Sequence, residues 1–325
     1  MTRSGSKITA LPFLAVLLLV ICWPLLLGSS AVYYRVMTMT FFYGALALSW
    51  NVYALTGSIS LGHAAFFGLG AYGSALLSHY WHTSPYVTIL FGGLVGAFYG
   101  AIWWVVFRGL RGARFALATL ASVEIPRVII DNWDSFTFGS LGLVGISSFT
   151  TLRFGSIHIA LGESLRAQYY FLLGFMLMVL SVHWKVMQSK WGWAIRALRE
   201  EETAASMLGV NTDFTHFATL LLSAFLTGLC GGIYAHLMGL IEPPLVFSLH
   251  ISALPLILSI FGGRYLVYGP LLGALILYPL DQTLFHSLLP VGHSILYGLM
   301  IIFTMLFFPR GIGSWMQRRK ISFWK

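Results

Sequence analysis

The sequence predicts an all-α integral membrane protein, a polytopic bundle of about ten transmembrane helices with some segments short or broken. Three observations predict it. Hydrophobic residues make up 58% of the chain, charged residues 9%, and the mean hydropathy is +0.82, whereas a soluble domain is about half apolar and a quarter charged. The apolar residues fall in runs of about 20, the length a helix needs to cross a hydrocarbon core, which favours helices over a barrel of short alternating strands. The basic residues collect at the ends of those runs instead of forming one patch, so the net charge of +9 reads as membrane topology and not as a nucleic-acid surface.

In chain order, the basic opening MTRSGSK leads into an apolar run at 11–27. It resembles the start of a signal peptide, but no small-residue cleavage site follows and another span comes at once, so a retained first helix is expected. Further spans are expected at 36–55, 61–77, 87–107, 115–130, 169–184, 214–240, 251–262, 266–280 and 294–308. With the N-terminus inside and every span crossing, fifteen of the 19 Lys and Arg fall on inner segments. That bias supports an even span count and two cytoplasmic termini. Residues 1–325 then form one transmembrane domain, residues 191–211 lie on the inner side, and 132–166 become a long external loop rich in Gly, Ser and Thr.

The most polar stretch, WGWAIRALREEETAASMLGVN at 191–211, holds Arg196, Arg199, Glu200, Glu201 and Glu202. Its Ala, Leu and Met content favours helix, and Gly209 supplies a stop. Arg196 with Glu200, and Arg199 with Glu202, fall at i,i+4 and i,i+3, worth about 0.2–0.5 kcal/mol each. A solvated loop helix is one reading. The sharper one is a helix gripped by another protein along a small apolar edge of Ala204, Ala205, Leu208 and Val210.

Two stretches interrupt the helical pattern: TGSISLG at 56–62 and SIFGGRYLVYG at 259–269, the second after a short run containing Pro255. Interrupted apolar segments are the best sequence pointer to a translocation site. Gly92, Gly96 and Gly100, with the pairs Gly228/Gly232 and Gly269/Gly273, have the spacing of close helix packing. Glu124 and Arg127 sit three apart around Pro126 in the middle of the fifth expected span. Charge there is costly, so a mutual pair facing the bundle interior is expected, either structural or lining a pathway.

Other motifs carry less. Gly68, Gly70 and Gly73 spell GxGxxG inside a membrane helix with no preceding strand, so no dinucleotide site is read, and no phosphate loop is present. Cys22 and Cys230 lie in apolar runs and suggest neither disulfide nor zinc. His79 and His82 lack carboxylate or thiol company, so no metal is expected. His63 follows the first break and is either a satisfied core histidine or part of a cavity wall. No nucleophile–base–acid set is visible, and the chain is not expected to be an enzyme.

Several segments together are specific. GSISLGHAAFFGLGAYGSALL (57–77), FALATLASVEIPRVIIDNW (115–133), GLVGI (142–146), GWAIRALREEETAASMLGVN (192–211), FGGRYLVYGPLLGALIL (261–277) and FFPRGI (307–312) resemble, in order, the branched-chain amino acid ABC transporter permeases, on the LivM side of the LivH/LivM family. The resemblance implies a type II ABC importer-like fold in a bacterial inner membrane. It also implies a second, LivH-like permease, two cytoplasmic ATP-binding subunits that hold ATP and Mg, and an external solute-binding protein, with no cofactor or metal in this chain. Residues 192–211 become the segment that couples to the ATPase, with Arg196, Arg199, Glu200, Glu201, Glu202, Ala204, Ala205 and Gly209 carrying that role. Importers of this kind often show Glu-Ala-Ala there; here Thr203-Ala204-Ala205 stands, with Glu202 one position early. The implied cargo is a branched-chain amino acid, with other amino acids, urea and short amides as alternatives. A passage for it would draw on Asn51, Ser58, Ser60, Gly62, His63, Phe66, Phe67, Glu124 and Arg127. A stand-alone channel or carrier remains the rival class, distinguished by transport without partners.

Overall fold

The computed structural model describes residues 30–150, 152–154, 157–159, 161–162, 164–285, 298–299, 302–303, 306–307 and 311–313. The spans expected at 11–27 and 294–308 lie outside this set or largely so, as does Cys22. The others appear as helices α1 (Ala31–Ala54), α2 (His63–Trp81), α3 (Pro85–Phe107), α4 (Gly112–Ala121), α5 (Glu124–Asp131), the short α6 (Asp134–Thr137) and α7 (Leu165–Gln188). They continue as α8 (Lys190–Glu200), α9 (Glu202–Met207), α10 (Thr212–Met238), the short α11 (Pro243–Val246), α12 (Leu249–Gly262) and α13 (Gly269–Leu280).

Among the described residues four stretches are long and apolar enough to cross a membrane: Pro85–Phe107, Leu165–Gln188, Thr212–Met238 and Pro243–Gly262. Helix α1 is as long but carries Thr38, Thr40, Ser49 and Asn51, all buried in protein. Ser49 and Thr40 return their hydroxyls to carbonyls four residues back, at 2.8 Å each. A polar span of this kind is tolerated because those groups lie inside protein.

Helix α10 packs against α1, α2 and α3, and α1 packs in turn against α7, α12 and α13. Glycine sets the closeness at the α2–α3–α10 junction. A Cβ at Gly228 would lie 2.6 Å from the Gly92 carbonyl oxygen, and one at Gly96 would lie 2.7 Å from that of Ala224. A Cβ at Gly70 would strike the Gly228 carbonyl. The GxxxG spacing therefore means backbone-to-backbone packing, and the GxGxxG lookalike serves the same junction through Gly70.

The fifth span is not one helix: it breaks at Ser122 and Val123 between α4 and α5. The cause is Pro126, which lacks the N–H that would reach the Ser122 carbonyl. That carbonyl accepts instead from the Tyr99 hydroxyl at 3.0 Å. The two breaks read from the sequence, at 56–62 and 259–269, are tight turns between helix ends. In the first, Trp50 Nε1 donates to the Ser60 carbonyl at 2.9 Å and the Leu61 amide donates to Thr119 Oγ1 at 3.1 Å. In the second, Gly262, Gly269 and Gly273 bring the α12 and α13 backbones together.

Finally, 132–164 is more than a loop. Strand β1 (Leu143–Val144) pairs antiparallel with β4 (Leu240–Ile241), just after α10, and β2 (Leu152–Phe154) pairs with β3 (Ile157–Ile159). His236 pins the segment to the bundle. Its Nδ1 donates to the Ser147 carbonyl at 2.7 Å, and its Nε2 lies within hydrogen-bond distance of the Ser74 and Thr88 hydroxyls, at 3.0 and 2.8 Å, while Ser74 donates to Thr88.

Candidate functional site

The segment 191–211 forms two helices, not one. Ser189 caps α8 by accepting from the Gly192 amide, and extended backbone at Glu201 (φ −160°, ψ 114°) separates α8 from α9. Gly209 ends α9 at φ +84°, a conformation that suits glycine. The break overturns the expected pairing. Arg199 meets Glu200 at 2.7 Å, and Arg196 donates to the Met187 carbonyl at 3.1 Å while lying over Trp193. Glu202, turned away from Arg199, takes both Arg111 Nη2 and Nε, at 2.6 and 2.9 Å. Arg111 lies between α3 and α4, and only its positive charge was legible in the sequence. Its hydrogen bonds hold the Glu202 carboxyl below the ordinary carboxylate range.

The inner surface of α8 packs on several helix ends at once. Ile195 joins Leu55 and Met187 in a small buried cluster with Val267 against it, and Arg199 lies over Tyr265. A Cβ at Gly57 would rest 3.7 Å from Arg199 Cγ. Both sequence breaks therefore meet at this segment. The outward edge differs from the expected one: Ala205 is buried, whereas Met207 and Leu208 are 87% and 84% exposed beside exposed Ala204, Glu200 and Glu201.

The passage residues divide. Asn51, Ser60, Gly62, His63, Phe66 and Phe67 are buried, and Ser58 is half-buried. His63 is a satisfied core histidine, 3.1 Å from Ser60 Oγ through Nδ1 and 2.9 Å from Ser223 Oγ through Nε2; Ser223 donates onward to the Ser49 carbonyl. These side chains pack against their neighbours inside the bundle. Asn51 stands apart because neither atom of its amide has a hydrogen-bond partner among the described residues.

Glu124 and Arg127 do pair, at 3.1 Å, with Asp131 at 3.8 Å on the other side of the guanidinium. The pair does not face the bundle interior. Side-chain exposure is 57% for Glu124 and 35% for Arg127, because Pro126 and Ile130 occupy the buried side of α5. Helix α5 packs against α2 and α11. A second break, at Phe247 and Ser248 between α11 and α12, lies nearby, with Phe247 stacked on Tyr72 midway along α2. Ser248, which caps α12 by accepting from the Ile251 amide, was its sequence signal.

The family described as branched-chain amino acid transport system / permease component matches residues 32–305. The chain belongs to this family. Among the relatives of this permease is the high-affinity branched-chain amino acid transport system permease protein LivM of Escherichia coli (strain K12), 28% identical over 95% of this chain and 76% of the relative. LivH of the same organism is 24% identical over 83% of this chain and 90% of the relative. The nucleoside ABC transporter permease protein NupC of Lactococcus lactis subsp. cremoris (strain MG1363) is 25% identical over 55% of this chain and 59% of the relative. No solved structure matches. These relatives are transport subunits, not enzymes, and both members of the LivM and LivH permease pair are among them.

Proposed function

We propose that this permease is one membrane subunit of an ATP-driven importer of branched-chain amino acids delivered by an external solute-binding protein. A LivH-like permease pairs with it, and two cytoplasmic subunits bind and hydrolyse ATP. On this reading the full chain makes about ten crossings of a bacterial inner membrane in a type II importer fold, with both termini cytoplasmic.

The observation that carries it is the segment 191–211. It exposes Met207 and Leu208 at a tip, while its other side is fastened to the ends of α1, α3, α7 and α12. An autonomous channel has no need for an apolar tip outside the membrane. Arg196, Arg199, Glu202 and Ala205 fix the segment to the bundle, Glu200, Glu201 and Ala204 flank the tip, and Gly209 turns the chain back into α10. Motion of an ATPase gripping the tip would reach all four helix ends, a linkage between nucleotide state and permease state. For the solute route we propose the exposed α5 face with Glu124 and Arg127. Asn51, Ser58, Ser60, Gly62, His63, Phe66 and Phe67 then form the packed wall behind it.

The test is reconstitution in vesicles with all partner subunits. M207D/L208D is expected to cut uptake and solute-stimulated ATP hydrolysis at least tenfold while the chain still inserts. Undiminished coupling would remove the docking role, and uptake by vesicles holding this chain alone would remove the importer reading.

A further inference from the structure

The exposed faces of α3 and α5 are unlike in one respect. Val87, Leu90, Phe91, Leu94, Phe98, Ile102, Val105 and Val106 give α3 an uncharged outer stripe suited to lipid. On α5 the exposed half carries two rows side by side: Glu124, Arg127 and Asp131 at i, i+3 and i+7, and Ile125, Val128 and Ile129 beside them. Ion pairs are not left against hydrocarbon, and non-helical backbone at membrane depth occurs only against protein or a watery cavity. Here both features coincide, because Phe247, next to the extended backbone of Ser248 between α11 and α12, stacks on Tyr72 midway along α2, the helix on which α5 packs. The α5 face therefore borders water or protein.

Resting on the pathway reading above, we propose that this face is a transient site for a zwitterionic α-amino acid with an aliphatic side chain. In the empty state Glu124 and Arg127 neutralise each other at 3.1 Å. An entering amino acid inserts between them: its ammonium goes to the Glu124 carboxylate and its carboxylate to the Arg127 guanidinium. Each charge exchanges one partner for another, so none is left bare in a low-dielectric setting. Asp131 is a positioning residue, holding the guanidinium from its far side at 3.8 Å while Glu124 is released. The aliphatic side chain lies along Val128 and Ile125. A nucleoside, urea or an amide, lacking two opposite charges, cannot open the pair in this way, so the site selects amino acids.

The experiment uses the complete importer in vesicles, with leucine as probe and uptake normalised to assembled complex. E124Q/R127Q removes both charges of the pair, and normalising to assembled complex controls for the Asp131 carboxylate that loses its cation. Its leucine uptake is expected to fall at least tenfold, while the charge-preserving E124D/R127K retains at least a third of wild-type uptake. Wild-type uptake by E124Q/R127Q, or equal loss in both pairs, overturns the zwitterion site. A separate arm tests the pathway itself: Val128→Cys treated with a hydrophilic thiol reagent is expected to be labelled in the assembled importer and to lose uptake. An unlabelled Cys with normal uptake removes the pathway reading and the site with it. A blocked Cys alongside an active E124Q/R127Q removes the site alone.

Discussion

Single side chains explain where this protein departs from regular helices. Pro126 frees one carbonyl, Tyr99 takes it up, and the fifth span becomes two helices. Asn51 is the opposite case, a buried amide with neither atom bonded among the described residues. Replacing such a group by an apolar one of similar size removes a desolvation cost of about 1–3 kcal/mol and loses no bond. Asn51→Leu is therefore expected to leave the detergent melting temperature unchanged or raised; a clear drop would reveal a partner. Glu202 gives a pH dependence. Its carboxyl is held below the ordinary 4.5 by the Arg111 hydrogen bonds. A depressed acid stabilises the docked state above its unfolded value and loses that contribution as pH falls through the lower folded value. Both side chains are substantially solvated, so the pair is worth only about 0.2–1 kcal/mol. Protease sensitivity of 191–211 is expected to stay constant from neutral pH to 4.5 and to rise below it, and Arg111→Ala should already show the raised sensitivity at neutral pH.

At the scale of elements, the α2–α3–α10 junction is set by glycine spacing. A valine at Gly228 would press its Cβ onto the Gly92 backbone, 2.6 Å from the carbonyl oxygen, and backbone cannot swing aside. Gly228→Val is expected to destabilise by about 1–3 kcal/mol or more. Gly174, in α7, has open space where a Cβ would go. Gly174→Ala should be neutral or stabilising by up to about 1 kcal/mol, as helix propensity alone dictates. Thermal melts of the two variants in one detergent decide whether packing or propensity governs these helices. The same junction shows why GxxxG was readable from the sequence. Small-residue spacing along one helix is a local property, but whether an interruption sits at mid-depth or at a helix end depends on what packs beside it.

Across the whole molecule, the segment 191–211 and the outer strands β1 and β4 mark opposite ends of α10. On the orientation proposed above, the first lies in the cytoplasm. A cysteine at Met207 is expected to react with an impermeant thiol reagent only in inside-out vesicles, and one at Val144 only in right-side-out vesicles. The reverse pattern would invert the topology and detach the segment from any cytoplasmic ATPase.

Composition, the lengths of the apolar runs and their flanking charges determined by themselves that this chain is helical and lives in lipid, since those properties follow from transfer free energies that need no partner. The ordered motifs were enough for the family. Tertiary structure alone decided that Glu202 belongs to Arg111, that Ala205 is inside and Met207 outside, and that Glu124 and Arg127 face away from the bundle. Each of those outcomes turns on a kink or cap that rotates a helix against neighbours distant in sequence, and periodicity along one chain records no such rotation.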